Sequence, residues 1–318
     1  MPPLLVVPDP PRRGPADAVP ELPALSTLLG MGEPGAADPD WRAGVQGELG
    51  GAALAGVRAA PVAASATSIA PGRAACLATP VHAVAGISRV HLHDAGVLQL
   101  GPGDKALLAR SFEAQFGPEL QLHELEGGWL LLAPWAAVAD DGDPVVHQGA
   151  PLMRAPAATA SQRAMRRAGA EIEMWLAGLE WNRERERRGQ LAANLLWCWG
   201  GGETLHESVA AATAFRVRGA ADPWAAGLAK LGGHPLAPLP EEWTATQDRE
   251  VLLLPHAGST DQWLQWEQRW FAPALRDLQA RRIDALRLRL GPRGWLIRRR
   301  RWRAIFTRSR PWWQALET

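Results

Sequence analysis

Leu4-Leu5-Val6-Val7 is an unbroken apolar run closed by Pro8-Asp9-Pro10-Pro11, which predicts a strand buried on both faces that runs into a loop. Residues 22–29 carry leucines at helical spacing, with Gly30 and Gly32 as a stop. Residues 33–75, rich in Gly, Ala and Pro, keep no sustained period beyond one helix near Trp41–Leu49 and read as a loose connection. From Val81 the pattern sharpens. Val90 and Leu92, then Val97, Leu98 and Leu100, flank Asp94-Ala95-Gly96 and predict a hairpin. Asp104 is placed as the cap of a helix reaching Phe116, with Leu107, Leu108, Phe112 and Phe116 on one face. A second hairpin follows, residues 120–125 and 129–132, turning at Glu126-Gly127-Gly128.

After a polar, Pro-rich loop, residues 161–187 predict one long helix with Met165, Ile172, Trp175 and Leu179 inward. Short strands are expected at 195–199, 215–217 and 251–254, helices after Asp222 and over 261–280, and a hairpin at 286–297 turning at Gly291-Pro292-Arg293-Gly294. No repeat of fixed period is present. Strands alternating with helices in both halves predict an α/β fold with an antiparallel elaboration.

Composition sharpens this in three ways. At 318 residues and 47% hydrophobic, the chain has enough apolar material for one large or two ordinary cores. Cys76 and Cys198 are far apart and in no CxxC pattern, so free thiols in a reducing compartment are expected. Neither a basic, apolar leader nor a bilayer-length apolar run is visible, so a cytoplasmic protein is expected. The net charge of +1 hides an asymmetry. Residues 269–310 hold fourteen arginines against Asp277 and Asp284, a balance of +12, which leaves −11 for the rest.

Two segments offer chemistry directly. Asn182-Arg183-Glu184-Arg185-Glu186-Arg187-Arg188-Gly189 leads to Asn194-Leu195-Leu196-Trp197 and then Gly200-Gly201-Gly202. A helix stopped by Gly, a strand and a glycine-rich turn is how α/β folds present polar groups at a sheet edge. Arg183 suits an anion, since a guanidinium grips phosphate bidentately, and Asn182, Asn194 and Gly200 lie in the same stretch. A solvated helix end and a close-packed turn are the plainer alternatives. Arg298, Arg299, Arg300, Arg301 and Arg303, interleaved with Trp302, suit a nucleic acid or an anionic membrane surface, or neutralise the acidic body of the protein itself. His91 and His93, two apart on a strand, are half a metal site or simply solvent-facing.

The Asn182–Gly202 residue order resembles the archaeal-type, cofactor-independent phosphoglycerate mutases. It is also similar to a related proteobacterial group known as the regulatory protein RpfE type. Leu4-Leu5-Val6-Val7-Pro8-Asp9 and Val251-Leu252-Leu253-Leu254-Pro255-His256, followed by Asp261 and the helix of Glu267, add to the first resemblance. Residues 78–82, Glu171–Leu176, Trp270-Phe271-Ala272-Pro273 and Arg310-Pro311-Trp312 add to the second. The resemblance implies an alkaline-phosphatase-like α/β sheet with flanking helices, a core of residues 1–75 and 188–318, and an inserted α+β subdomain of residues 76–187. In that family the first strand ends at a metal-binding Asp, here Asp9, and catalysis uses two divalent ions and a Ser nucleophile. This chain has no Asp-Glu-x-x-x-His segment after Val251 and no Asp-His pair near its end. Asp9 is then a vestige. The resemblance implies a mutase-like binding or regulatory protein without a cofactor, with a phosphorylated small molecule as partner. An active phosphoglycerate mutase or phosphatase with two divalent ions is the first alternative, and a polyanion binder acting through the arginines the second.

Overall fold

The computed structural model describes residues 2–8, 19–38, 40–50, 53–86, 89–139, 141–152, 157–206, 214–245, 249–257, 259–298 and 311–316. In chain order the elements are β1 (Leu4–Val7), α1 (Pro23–Met31), β2 (Gly32–Ala37), α2 (Trp41–Gly50), α3 (Ala59–Ala64), β3 (Ala74–Ala85), β4 (Val90–Val97) and α4 (Pro102–Phe116). Then come β5 (Gln121–Leu125), β6 (Gly128–Leu132), α5 (Ala160–Gly178), α6 (Glu180–Arg187), β7 (Leu195–Glu203), β8 (Arg216–Arg218) and α7 (Pro223–Leu231). The last are β9 (Glu250–Leu253), α8 (Thr260–Trp266), α9 (Ala272–Gln279), β10 (Ala285–Leu290) and β11 (Arg293–Arg298), with a π-helical segment, Glu267–Phe271, joining α8 to α9.

Two compact units divide the chain. The first comprises Met1–Gly56, Ala210–Ala220 and Ala229–Thr318, and the second Val57–Val209 and Ala221–Leu228. The first unit is built on a six-stranded sheet in the order β2-β11-β10-β1-β9-β8. Strands β10, β1, β9 and the edge strand β8 run parallel; at the other edge β11 is antiparallel to β10, and β2 antiparallel to β11. The apolar runs of β1 and β9 are explained by burial on both faces, as a parallel sheet requires. Leu5, Val7, Leu252, Leu286, Leu288 and Ile297 face a tryptophan-rich helical layer. There Trp263 stacks on Trp312, with centroids 5.2 Å apart at 14°, and meets Trp266 edge-on at 5.0 Å. Six of the sixteen tryptophans, Trp243, Trp263, Trp266, Trp270, Trp295 and Trp312, are buried in this core, which accounts for much of their abundance. Residues 32–37, expected as loose connection, form β2, whose backbone pairs with β11.

The second unit is α+β, as expected for the inserted region. Its long strand β3 carries β7 along one side and β6, then β4, along the other, with β5 outside β6. Phe112 of α4, Ile172 and Leu176 of α5, and Trp129 and Leu131 of β6 are buried in one core. The division differs from the expected boundaries at 57–75, 188–209 and Ala221–Leu228, the last also falling in the second unit. The first two stretches belong to the second unit, because β7 pairs with β3 from Leu195 to Glu203 and α3 packs on β7. Three local expectations also change. Residues 90–97 do not form a hairpin but pair with β3 on both sides of a bulge, His93–Gly96 standing opposite His82 alone, and a Cβ on Gly96 would lie 2.6 Å from the His82 carbonyl. The cap of α4 is Gly101, with Pro102 in the first turn, and Asp104 instead accepts from Trp181 Nε1 at 2.8 Å. The long helix over 161–187 breaks at Leu179 (φ −71°, ψ 127°) into α5 and α6.

Candidate functional site

Asn182, Asn194, Arg183 and Gly200 all fall in the second unit, where each is committed locally. Asn182 is buried; its Nδ2 donates to the carbonyls of Leu176 (2.7 Å) and Ala193 (2.8 Å), and its Oδ1 accepts from Ala193 N–H at 2.9 Å. The Leu176 carbonyl, at the last turn of α5, also accepts from Leu179 N–H at 3.2 Å. Asn194 pairs with both the N–H (2.8 Å) and the C=O (2.7 Å) of Ala83, extending the sheet with a side chain. Arg183 is exposed and pairs with Glu180 at 3.1 Å. The glycines 200–202 lie within β7 rather than in a turn after it. Gly200 has φ +61°, and a Cβ there would sit 2.9 Å from Ala59 Cβ. A Cβ on Gly201 would meet the Ala136 carbonyl at 2.1 Å. These glycines let α3 and the turn at Ala136–Val138 close onto the sheet. Thr204, next in line, donates to Ala70 O and accepts from Arg73 N–H, which ties down the end of the strand.

In the first unit, β1 and β9 are parallel neighbours in the register Leu4↔Val251 to Val6↔Leu253, so their carboxyl ends lie on one edge of the sheet. That edge is where open α/β sheets place their ligands. Among the described residues it carries His256; Asp9 lies outside the described residues, as do Arg299, Arg300, Arg301 and Arg303. Arg298 ends β11 and is exposed. The buried acids of this unit are engaged elsewhere. Glu250 pairs with Arg218. Asp277 accepts from Trp243 Nε1 at 2.9 Å and from Arg282 at 2.8 Å. Glu267 is committed to the end of a helix: its carboxylate caps α1, accepting from Ala24 N–H and from Leu25 N–H (3.2 Å). Burial pushes its pKa up, against the two backbone hydrogen bonds.

Among the described residues no three His, Cys, Asp or Glu side chains are grouped so as to hold a metal ion. A pair of divalent ions needs several convergent carboxylates or imidazoles, and the ligand that the resemblance implies, Asp9, lies outside the described residues. His93 meets His82 edge-on at 5.9 Å, and each ring's Nδ1 is engaged, His82 with the Ala192 carbonyl and His93 with Ala95 N–H.

Two constellations were invisible in the sequence. Cys198 stands opposite Ala78, which puts Cys76 diagonally across on the same face, and the Cys198 thiol donates to the Leu196 carbonyl at 3.8 Å. Burial, then the neighbouring Cys198 thiol, pushes the Cys76 pKa well up. The other is a groove of about 440 Å3 between α2 and the outer strands β2, β11 and β10. At its base Arg289 donates from Nε (3.0 Å) and Nη2 (2.7 Å) to Glu48 Oε1 and from Nη1 to Pro292 O (3.1 Å). Arg287 reaches Glu48 O (3.2 Å) and Oε2 (3.4 Å) through Nη1, while its Nε is buried without a partner. Burial pulls the Arg287 pKa down; Glu48 opposes this, and Arg249 and Arg289 add to it. The alternating Ala285-Leu286-Arg287-Leu288-Arg289-Leu290 was the available signal, with arginines on one face and leucines on the other.

A six-stranded mixed sheet flanked by helices, joined to an antiparallel α+β unit, is an α/β architecture consistent with the alkaline-phosphatase-like fold that the resemblance implies. Among solved structures the chain is similar to the PH0037 protein from Pyrococcus horikoshii. That likeness covers 99% of this chain and 92% of that one, with a TM-score of 0.51 and 11% identity. It is also matched to the cofactor-independent phosphoglycerate mutase from Thermoplasma acidophilum DSM 1728, over 93% of this chain and 89% of that one, with a TM-score of 0.37 and 16% identity. The first is a likeness of fold, and fold does not carry function with it. No family model and no curated protein sequence matches the chain. Among the described residues, no helix is long and apolar enough to cross a membrane.

Proposed function

We propose that this chain is a phosphoglycerate-mutase-like protein that acts by binding, as a ligand-binding or regulatory protein, and not as a metal-dependent phosphomutase. The observation that carries this is the engagement of the buried acids. Glu250, Glu267 and Asp277 each answer a structural donor, an arginine, a helix terminus or an indole. A carboxylate that caps a buried helix end is not free to hold a cation, since leaving those N–H groups unpaired costs about 1–3 kcal/mol. The residue resemblance at Asn182–Gly202 supports the mutase-like ancestry.

The test is metal content and turnover together. Purified protein, dialysed against manganese, is expected to retain less than one equivalent of divalent metal and to leave 3-phosphoglycerate unisomerised. Two tightly held equivalents, or isomerisation lost on Asp9→Asn, would instead establish the active, metal-dependent mutase.

A further inference from the structure

We infer that the groove between α2 and strands β2, β11 and β10 is a binding site for a short zwitterion of dipeptide size. Its carboxylate would lie on Arg287 and its ammonium at Glu33 and Asp38. The inference gives the proposed binding role a site and rests on that role.

Strand register supplies the central argument. Arg287 of β10 is directly opposite Leu296 of β11, and Leu296 is directly opposite Glu33 of β2. Residues opposite one another share a face, so a cation, an apolar side chain and an anion stand in one row across three strands. All three line the groove. Strands lie about 4.8 Å apart, so the two charges are anchored about 10 Å from each other. That spacing suits a molecule with opposite charges at its two ends and an apolar middle.

Charge at the base and at the rim agrees with the row. Arg287 and Arg289 share one carboxylate, Glu48, which leaves one positive charge uncompensated between them. Arg289 is saturated by Glu48 and Pro292, but Arg287 is not: only Nη1 is used. A ligand carboxylate is the group that completes a guanidinium fork. At the rim, Glu33 is exposed and forms no ion pair among the described residues, and Asp38 accepts only from Asp40 N–H. A simple anion would meet Glu33, Asp38 and Glu48 as repulsion, so an ammonium at the far end is required.

The walls keep the space open. They are largely Gly and Ala, including Gly44 and Gly47 within helix α2, where glycine costs roughly 0.5–1 kcal/mol relative to alanine. Gly44 makes room for Arg289, since a Cβ there would lie 2.2 Å from Nη1. No such packing reason exists for Gly47, whose Cβ would meet nothing within 4 Å. A volume of about 440 Å3 is within the range of small-molecule pockets, about 300–1,000 Å3.

Calorimetric titration of the full chain with alanyl-alanine, its N-acetyl form and its C-terminal amide tests this, beside 6-aminohexanoate as a zwitterion without a peptide bond. Alanyl-alanine is expected to bind, and each capped form to bind at least tenfold more weakly. In Glu33→Gln the N-acetyl penalty should shrink, and in Arg287→Met the amide penalty should vanish. Equal binding by 6-aminohexanoate identifies charge spacing alone as the recognised feature and upholds the site. No binding by alanyl-alanine, or capped forms that bind equally well, overturns it, and so does binding untouched by Glu33→Gln, an exposed change that keeps the fold even where Arg287→Met does not. Because metal content and turnover are read separately, an empty groove leaves the non-catalytic proposal standing, and a metal pair leaves the groove result standing.

Discussion

Glu267 couples the first helix of the chain to a helix more than two hundred residues later. Its pKa is raised by burial, so the folded chain keeps the proton to a higher pH than the unfolded chain, whose carboxyl titrates near the ordinary 4.5. Between those two values the native state binds more protons. The stability contributed by this group therefore falls as pH rises through that window, and ionised Glu267 is a cost that a neutral isostere escapes. Glu267→Ala, which leaves two buried N–H groups uncapped, is expected to destabilise by about 2–3 kcal/mol. Glu267→Gln keeps one acceptor, and its deficit relative to the parent should shrink as the medium is taken from about pH 4.5 to about pH 7.5. Denaturant melts at both pH values measure this; a deficit that grows with pH would contradict the burial account. The sequence showed Glu267 only as part of a helix, because the N-terminus it caps is supplied by tertiary packing. Asn182 and Asn194 had the opposite history. Their prominence beside a glycine-rich stretch suggested a ligand, whereas the structure shows amides that replace backbone partners where α5 stops and β3 ends its pairing.

At the scale of elements, strong local signals translated directly. The β5–β6 hairpin at Gly127, with φ +84°, and the β10–β11 hairpin at Gly291, with φ +50°, were legible because a tight turn needs glycine at such angles. Strand β2 was not: Gly32-Glu33-Pro34-Gly35-Ala36-Ala37 lacks every strand propensity and is held by pairing to β11. The groove was hidden for the same reason, since it needs the β2–β11–β10 register to exist. Helix α2 offers a sharp test of its architecture. Gly47→Ala, which meets open space, should stabilise by about 0.5–1 kcal/mol through helix propensity alone. Gly44→Ala gains the same propensity but drives into the Arg289 guanidinium and its pair with Glu48. Breaking a buried pair costs about 3–5 kcal/mol, so a net loss of about 2–4 kcal/mol is expected. Thermal or urea melts of the two variants separate these outcomes, and equal effects would refute the placement of Arg289 against the helix.

For the whole molecule, strands alternating with helices were legible in both halves, but no residue pattern marks where one unit hands over to the other. Strand β7 reads as a buried strand in either unit; only its pairing with β3 assigns it. Charge is likewise a property of the assembled chain. The +12 over residues 269–310 already counts Asp277, which pairs with Arg282; beyond it, Glu48 of α2 offsets one of the two charges of Arg287 and Arg289, so part of the excess is met within the chain. This changes how the remaining arginines are to be probed. Deleting everything after Arg298 would also remove Trp312, which is buried against Trp263, donates from Nε1 to Pro20 O at 3.0 Å, and donates its backbone N–H to the Ser26 hydroxyl oxygen at 3.1 Å. Loss of such an aromatic costs about 3–5 kcal/mol, so the truncated chain is expected to melt early whatever the arginines do. Replacing Arg298, Arg299, Arg300, Arg301 and Arg303 by Gln keeps Trp312 and removes only charge. That variant is expected to keep the parent's melting temperature within a few degrees. The parent's affinity for a DNA oligomer or for anionic vesicles is expected to be negligible at about 0.15 M salt, where surface charges are screened beyond about 8 Å. Tight binding by the parent that falls steeply with salt, and is lost in the fivefold variant, would make the run a polyanion site after all, because only released counterions give that slope.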